Sequence, residues 1–212
     1  MVDEQLKDLF PRFLRDWFSR FLEFQVLSDQ GWGRDYGNPK QTFVPASEEA
    51  FQRLVNRILS DNANGKSCYL SVNYFTKPSK RKPSKRYGGG TLVALEKLFV
   101  DLDLKGVPPQ EAYEKVKPEL LRLKDHLLSY CEPLIVYSGL KGFHVYAWLP
   151  NLVTGDDGYL KGLYKTIMYI LEIPKMGLKY LDTDVLEAAR ISRIPYTTHH
   201  KSGLTCTPLD LD

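Results

Sequence analysis

One short stretch constrains the fold of this chain more than any other: residues 97–104, with the sequence Lys-Leu-Phe-Val-Asp-Leu-Asp-Leu. Its apolar residues predict a buried β-strand. Side chains two residues apart share a face of a strand, so Asp101 and Asp103 lie side by side while their neighbours face a core. Two dehydrated carboxylates repel each other, and a divalent cation relieves that repulsion. The stretch predicts a hard-cation site, with solvated acids at a strand end as the alternative.

Helical and strand patterns alternate along the rest of the chain. Apolar residues at three- and four-residue steps predict helices over residues 3–27, 47–60, 109–130 and 157–172. Strands are predicted over residues 69–75, 134–137 and 143–149, the last two forming a hairpin. Glycine, proline and polar residues predict a loop over residues 28–46, and residues 181–205 mix apolar with charged residues.

The hairpin favours an α+β fold over a doubly wound parallel sheet. We therefore expect a mixed or antiparallel β-sheet core flanked by helices. The length of 212 residues suits one compact unit of two lobes. Residues 1–65 are predicted as an N-terminal helical segment that packs on a core of residues 66–212.

A glycine-bracketed turn forms a second cluster, Ser-Gly-Leu-Lys-Gly-Phe-His at residues 138–144. The two glycines expose backbone amides. Ser138 adds a hydroxyl, Lys141 a cation and His144 an imidazole, and this combination suits a phosphate. For His144 alone, a hydrogen-bonded core histidine is the alternative.

A third cluster combines acids with cations. Leu-Asp-Thr-Asp at residues 181–184 is followed by Arg190, Arg193, His199 and Lys201. A third carboxylate would complete a two-metal site, and the cations would neutralise a triphosphate. A surface set of ion pairs is the alternative.

The positive charge is concentrated in one loop. The chain carries a net charge of +3. Six basic residues and no acid occur within residues 77–86, so the rest of the chain carries 3 − 6 = −3. This distribution favours a polyanionic partner, with a solvated surface loop as the alternative. The six are Lys77, Lys80, Arg81, Lys82, Lys85 and Arg86.

Several classes of protein are disfavoured. No apolar run approaches the roughly 20 residues of a membrane span, and charges interrupt the first ten residues, unlike a signal peptide. We therefore expect a soluble intracellular protein without a membrane partner. The three cysteines, Cys68, Cys131 and Cys206, form no C-x-x-C pair, so neither zinc nor a disulfide is predicted.

Together, the three clusters resemble the archaeo-eukaryotic primase superfamily, whose motifs are hhhDhD, S-x-x-x-G-x-H and hD followed by basic residues. Phe-Val-Asp-Leu-Asp at residues 99–103, the turn at 138–144 and Leu-Asp at 181–182 are similar to them in this order. The tail from Arg193 to Gly203 resembles the segment after the third motif. The resemblance spans about residues 66–205, and Arg-Asp-Tyr-Gly at 34–37 faintly resembles a further R-E-F-G element.

This resemblance implies a DNA primase or primase-polymerase catalytic domain with the fold of that family. Asp101 and Asp103 would bind two Mg²⁺ or Mn²⁺ ions, and Asp182, rather than Asp184, would bind one. Incoming NTP or dNTP would contact Ser138, Lys141 and His144, with added charge from Arg193, His199 and Lys201.

The resemblance also implies partners and a location. These would be a single-stranded DNA template, a primer, and a C-terminal helical domain, accessory primase subunit or helicase. The location would be the nucleoid-associated cytoplasm, or the nucleus in a eukaryote. Two other functions stay open at this point: a non-catalytic, primase-like nucleic-acid-binding subunit, and a D-x-D sugar-nucleotide transferase.

Overall fold

Antiparallel sheets and three α-helices build the part of the chain that the computed structural model describes, which is residues 4–5, 21–29, 31–33, 43–45, 48–77, 91–185, 188 and 190–211. The strands are β1 (Phe21–Ser28), β2 (Gly31–Gly33), β3 (Phe43–Pro45), β4 (Ser67–Ser71), β5 (Tyr74–Lys77), β6 (Leu92–Asp103), β7 (Leu134–Tyr137), β8 (Gly142–Gly155), β9 (Ile191–Arg193) and β10 (Thr207–Pro208). The helices are α1 (Glu48–Ala63), α2 (Pro109–Leu128) and α3 (Asp157–Ile170).

The strands follow the order β10-β7-β8-β6-β5-β1-β4-β9, and β2 and β3 also pair with β1. Every pairing is antiparallel. The α+β class and the β7–β8 hairpin are therefore confirmed. None of the helices in the described ranges is both long and apolar enough to cross a lipid bilayer.

Two apolar cores lie against these sheets. One core joins α2 and α3 to the inward face of β6, and the other packs α1 against β1 and β4. The predicted apolar face of α2 is buried as expected, and the helix continues across Pro118 without a break. Strand β6 therefore contributes side chains to both cores, one with α2 and α3 and the other with α1, β1 and β4.

The N-terminal prediction needs correction. Residues 21–27 were predicted as helix, but they form strand β1, in which Leu22, Phe24 and Val26 are buried. Here Leu-Glu-Phe-Gln-Val also alternates with a period of two, and pairing with β3, β4 and β5 holds it as a strand. Residues 6–20 of the predicted helix lie outside the described residues. The boundary at residue 65 stays a prediction, and β1 pairs across it with β4 and β5.

Two smaller predictions also change. The predicted loop at residues 28–46 contains β2 and β3, which both pair with β1. The predicted strand at residues 69–75 is two strands, β4 and β5, separated by Val72 and Asn73. Asn73 explains the break, because its side chain bonds backbone groups of β6 and stands where a continuous strand would run.

Side chains replace a neighbouring strand along one edge of β6. On this edge, strand β5 covers just the first residues of β6. Beyond it, the amide group of Asn73 bonds the backbone N–H and carbonyl of Lys97. The hydroxyl of Tyr164 then accepts the N–H of Phe99 and donates to its carbonyl. These two side chains satisfy backbone groups that would otherwise be buried without partners.

Candidate active site

The β6–β8 ladder brings the first two clusters together. Asp101 lies opposite His144, and Asp103 lies opposite Gly142. The Nε2 atom of His144 is 3.9 Å from Oδ1 of Asp101. From the turn, Nζ of Lys141 reaches Oδ2 of Asp103 at 2.9 Å. Carboxylates and turn residues therefore line one cleft of about 170 Å³.

Asp182 reaches the same strand by backbone pairing. Its N–H donates to the carbonyl of Asp101 at 2.8 Å, and the N–H of Asp103 donates to the carbonyl of Tyr180 at 2.9 Å. This antiparallel pairing places Asp182 across from Asp101, on the face that carries both β6 acids. The Asp182 carboxylate, however, accepts the N–H of Asp184 at 2.9 Å and does not line the cleft.

Asp101 and Asp103 have the properties of cation ligands. One oxygen of each, Oδ1, is buried without a hydrogen-bond partner in the described part of the chain. Burial, followed by the charge of Asp103, raises the pKa of Asp101 to about 7. A bound divalent cation would offset both effects, so this pair fits Mg²⁺ or Mn²⁺. Among the described residues, no group of three acid, histidine or cysteine side chains is arranged around one point.

The Ser138–His144 turn is packed closely against these acids. The Ser138 hydroxyl accepts the N–H of Gly142 at 3.1 Å. A Cβ atom at Gly142 would lie 3.2 Å from Oδ1 of Asp101 and 3.4 Å from Oγ of Ser138. Burial, with the charges of Arg190 and Arg193, lowers the pKa of His144 to about 3. The His144 ring is therefore neutral near pH 7.

Arg193 also lines the cleft. Its side chain is almost fully buried, and Nη2 donates to the carbonyl of Thr197 at 3.1 Å. Nε and Nη1 are buried without a hydrogen-bond acceptor among the described residues. The guanidinium group also lies 5.6 Å from the ring centre of Tyr69. A buried cation with donors to spare suits an anion in the cleft.

His199 presents a defined donor to the cleft. Its Nδ1 accepts the backbone N–H groups of Lys201 and Ser202, at 3.1 and 3.3 Å. Burial and then Arg193 lower its pKa to about 4, so the ring is neutral near pH 7. A neutral ring whose Nδ1 accepts carries its proton on Nε2. His199 lines the cleft, and its Nε2–H is available to an anion.

Some predicted residues do not reach the cleft. Lys201 is exposed and does not line it. Of the basic loop, only the backbone of Lys77 is described, at the end of β5, and residues 78–90 lie outside the described residues. The predicted roles of Lys201 and of the loop stay predictions.

Arg190 and Tyr69 line the cleft but were not among the residues expected to contact the nucleotide. Arg190 lines the cleft, and its charge opposes the rise in the pKa of Asp101. The sequence places Arg190 among the cations of the third cluster, three residues before Arg193. Tyr69 lies opposite Arg193 in the β4–β9 ladder, and no local pattern marks it for this position.

Two solved structures share this fold. The AEP domain of the cyanophage S-2L primase-polymerase matches with a TM-score of 0.53 and 12% identity, over 99% of this chain and 90% of that one. The polymerase domain of Mycobacterium tuberculosis ligase D, solved with DNA, matches with a TM-score of 0.58 and 15% identity, over 99% and 80%. At such identities the likeness is one of fold. No family model and no curated protein matches the sequence.

Proposed function

Because the chain has the fold of primase-polymerase catalytic domains, we propose that it is a template-directed nucleotidyltransferase, a DNA primase or primase-polymerase. The observation that carries the proposal is the composition of the cleft. The buried carboxylates Asp101 and Asp103 line the same cleft as Arg193 and His199, whose donors suit an anion. Such a cleft suits a metal-bound triphosphate.

The chemistry is the transfer of a nucleotide to a 3′-hydroxyl. The hydroxyl loses its proton to water and its oxygen forms a bond to the α-phosphorus. The bond from that phosphorus to the bridging oxygen breaks, and pyrophosphate leaves. Divalent ions, when bound, lower the pKa of the hydroxyl and neutralise phosphate charge. Asp101 and Asp103 would hold these ions, with Asp182 as a third ligand once its carboxylate turns from the N–H of Asp184.

The protein's other groups would bind and orient the triphosphate. Arg193 offers two guanidinium nitrogens, and the neutral ring of His199 donates through Nε2. Lys141, which pairs with Asp103, and the buried ring of His144 lie beside the carboxylates. Fixed donors and cations of this kind stabilise charge that develops on phosphate oxygens. The basic loop at residues 77–86 would hold the template strand or the primer.

The test is nucleotide incorporation by an Asp101→Ala variant. The purified chain is incubated with single-stranded DNA, with and without a primer, labelled NTPs or dNTPs, and Mg²⁺ or Mn²⁺. We expect wild type to extend the strand and Asp101→Ala to lose incorporation while it still binds single-stranded DNA. Asp184→Ala is the control, because that side chain is exposed and outside the cleft.

Incorporation by Asp101→Ala at the wild-type rate would exclude the mechanism. DNA binding without any incorporation by wild type would favour a non-catalytic nucleic-acid-binding subunit. A greater rise in melting temperature with a sugar nucleotide than with dNTP would favour a sugar-nucleotide transferase.

A further inference from the structure

Two asparagine side chains hold the two ends of one segment of the cleft. The segment is residues 188–199, of which all but 189 are described, and it carries Arg190, Arg193 and His199. Asn73 contacts its beginning and Asn62 contacts its end. Neither asparagine belongs to a motif that the sequence suggests, and neither lines the cleft.

Asn73 joins this segment to the strand that carries the acids. The residue is 1% exposed and lies between β4 and β5. Its Oδ1 accepts the N–H groups of Glu96 and Lys97, both at 2.8 Å. Its Nδ2 donates to the carbonyls of Lys97 and Ala188, both at 3.1 Å. All four hydrogen bonds that an asparagine amide can make are therefore used, three to β6 and one to Ala188.

The backbone next to Asn73 adds a parallel connection. The N–H of Val72 donates to the carbonyl of Arg190 at 2.8 Å. Arg190 is thus held two residues beyond the Ala188 contact. Its charge opposes the rise in the pKa of Asp101, so its position relative to β6 matters for the carboxylates.

Asn62 holds the other end of the segment from the last turn of α1. Its Nδ2 donates to the carbonyls of Lys66 and Thr198, both at 3.0 Å. Its Oδ1 accepts the N–H of Thr198 at 3.1 Å. One amide therefore pairs with both backbone groups of Thr198, and the next residue is His199. The orientation of His199 follows from this anchor and from the turn after it.

We propose that Asn73 and Asn62 are positioning residues that set the distance between the acids of β6 and the anion-binding groups of residues 188–199. The inference rests on the proposed function, because it takes the bound anion to be the triphosphate of that reaction. Only a side chain that donates and accepts in one plane satisfies these backbone groups. Asparagine does so with a short, stiff side chain, so little movement is left to the segment.

A positioning role differs from a purely stabilising one. Loss of a buried hydrogen-bonding group lowers stability wherever it occurs. Loss of an anchor also lets Arg193 and His199 move, and small displacements of binding groups weaken both binding and rate. A useful control removes buried hydrogen bonds from β6 and leaves residues 188–199 alone. Tyr164→Phe does this, because the Tyr164 hydroxyl bonds the backbone N–H and carbonyl of Phe99.

The experiment compares Asn73→Ser, Asn62→Asp and Tyr164→Phe with wild type. Asn73→Ser keeps a small polar group in a buried site, and Asn62→Asp keeps the size of a half-buried one. The probe is inorganic triphosphate, titrated calorimetrically into the protein in EDTA at a temperature where thermal melts show every variant folded. The KM for nucleotide is measured separately with Mg²⁺.

We expect each asparagine variant to bind inorganic triphosphate about tenfold more weakly than wild type and to raise the nucleotide KM in proportion. Tyr164→Phe should melt at a lower temperature with unchanged affinity. Wild-type affinity in both asparagine variants, or equal weakening in Tyr164→Phe, would overturn the inference, as would a wild type that binds no triphosphate. Weakened binding in a protein without incorporation activity would support the anchors and count against the proposed function.

Discussion

Asp101 is a buried carboxylate whose charge a bound cation would relieve. Its Oδ1 is buried without a hydrogen-bond partner among the described residues, and Asp103 lies beside it. The side-by-side placement of the two acids was predictable, because it follows from strand geometry alone. The ion pair between Lys141 and Asp103 and the tautomer of His199 were not, because both depend on how turns fold back in space.

The raised pKa of Asp101 predicts that stability depends on pH. The pKa of Asp101 rises from 3.8 to about 7, so between these pH values the folded chain keeps a proton that the unfolded chain loses. The free energy of unfolding of the metal-free protein should therefore fall as pH rises from about 4 to about 7. Asp101→Asn cannot ionise, and we expect it to be more stable than wild type at pH 8, by on the order of 3 kcal/mol.

Urea unfolding in EDTA, at pH 4 and pH 8, measures this difference. His144 and His199 have lowered pKa values, so they have the opposite effect on the free energy of unfolding. Their contribution to stability falls as the solution becomes acidic. The difference in the free energy of unfolding between wild type and Asp101→Asn, taken at each pH, removes most of the histidine contribution. A stability difference that is the same at both pH values would contradict the assignment.

At the scale of elements, the β7–β8 hairpin and helices α1, α2 and α3 follow from periodicity and turn residues. The strand β1 does not, because its aromatic and aliphatic residues continue the helix-like steps of the residues before it. The gap between β4 and β5 depends on Asn73, whose partners lie 23 and 24 residues away at Glu96 and Lys97. A local pattern holds no information about such distant partners.

Gly142→Ala tests how tightly the turn is fitted to the acids. The added methyl group would lie 3.2 Å from Oδ1 of Asp101 and 3.4 Å from Oγ of Ser138, so these groups must shift. We expect incorporation to fall by roughly a hundredfold, at a cost in stability of about 1 kcal/mol.

The matched control for this substitution is Gly162→Ala on helix α3. A Cβ atom there has nothing within 4 Å. Alanine for glycine within a helix should raise stability by about 1 kcal/mol, with activity unchanged. If Gly142→Ala kept full activity, the cleft would have to be looser than the distances indicate.

Across the whole molecule, the α+β class was predictable because strands and helices alternate along the chain and the strands form hairpins. The convergence of three separate clusters was predicted from their order, and the structure brings the backbones of all three to the end of β6. The turn of the Asp182 carboxylate toward the N–H of Asp184 was not predictable, since it depends on the 3-10 turn Thr183–Val185.

Charge distribution leads to a prediction at the same scale. Replacing the basic residues of the loop with alanine should weaken binding of single-stranded DNA and make it less sensitive to salt. The slope of log K against log salt should lose about 0.7 for each phosphate contact removed. Fluorescence anisotropy from 50 to 300 mM salt measures it. Lys77 is kept because it belongs to β5, so the substituted residues are the other five, Lys80, Arg81, Lys82, Lys85 and Arg86.

A control for general charge loss substitutes exposed lysines of α2 and α3, Lys115, Lys161 and Lys165. We expect that variant to keep nearly the wild-type slope. Equal slopes for the loop variant and wild type would place DNA binding elsewhere on the molecule.

The side chains along the edge of β6 also affect self-association. An unoccupied strand edge can recruit an extended segment from another molecule and so begin a fibril. Here the Asn73 amide and the Tyr164 hydroxyl already occupy the N–H and carbonyl groups of Lys97 and Phe99. The strand that bears the acids is thus closed to foreign chains along this stretch, without a full-length neighbour.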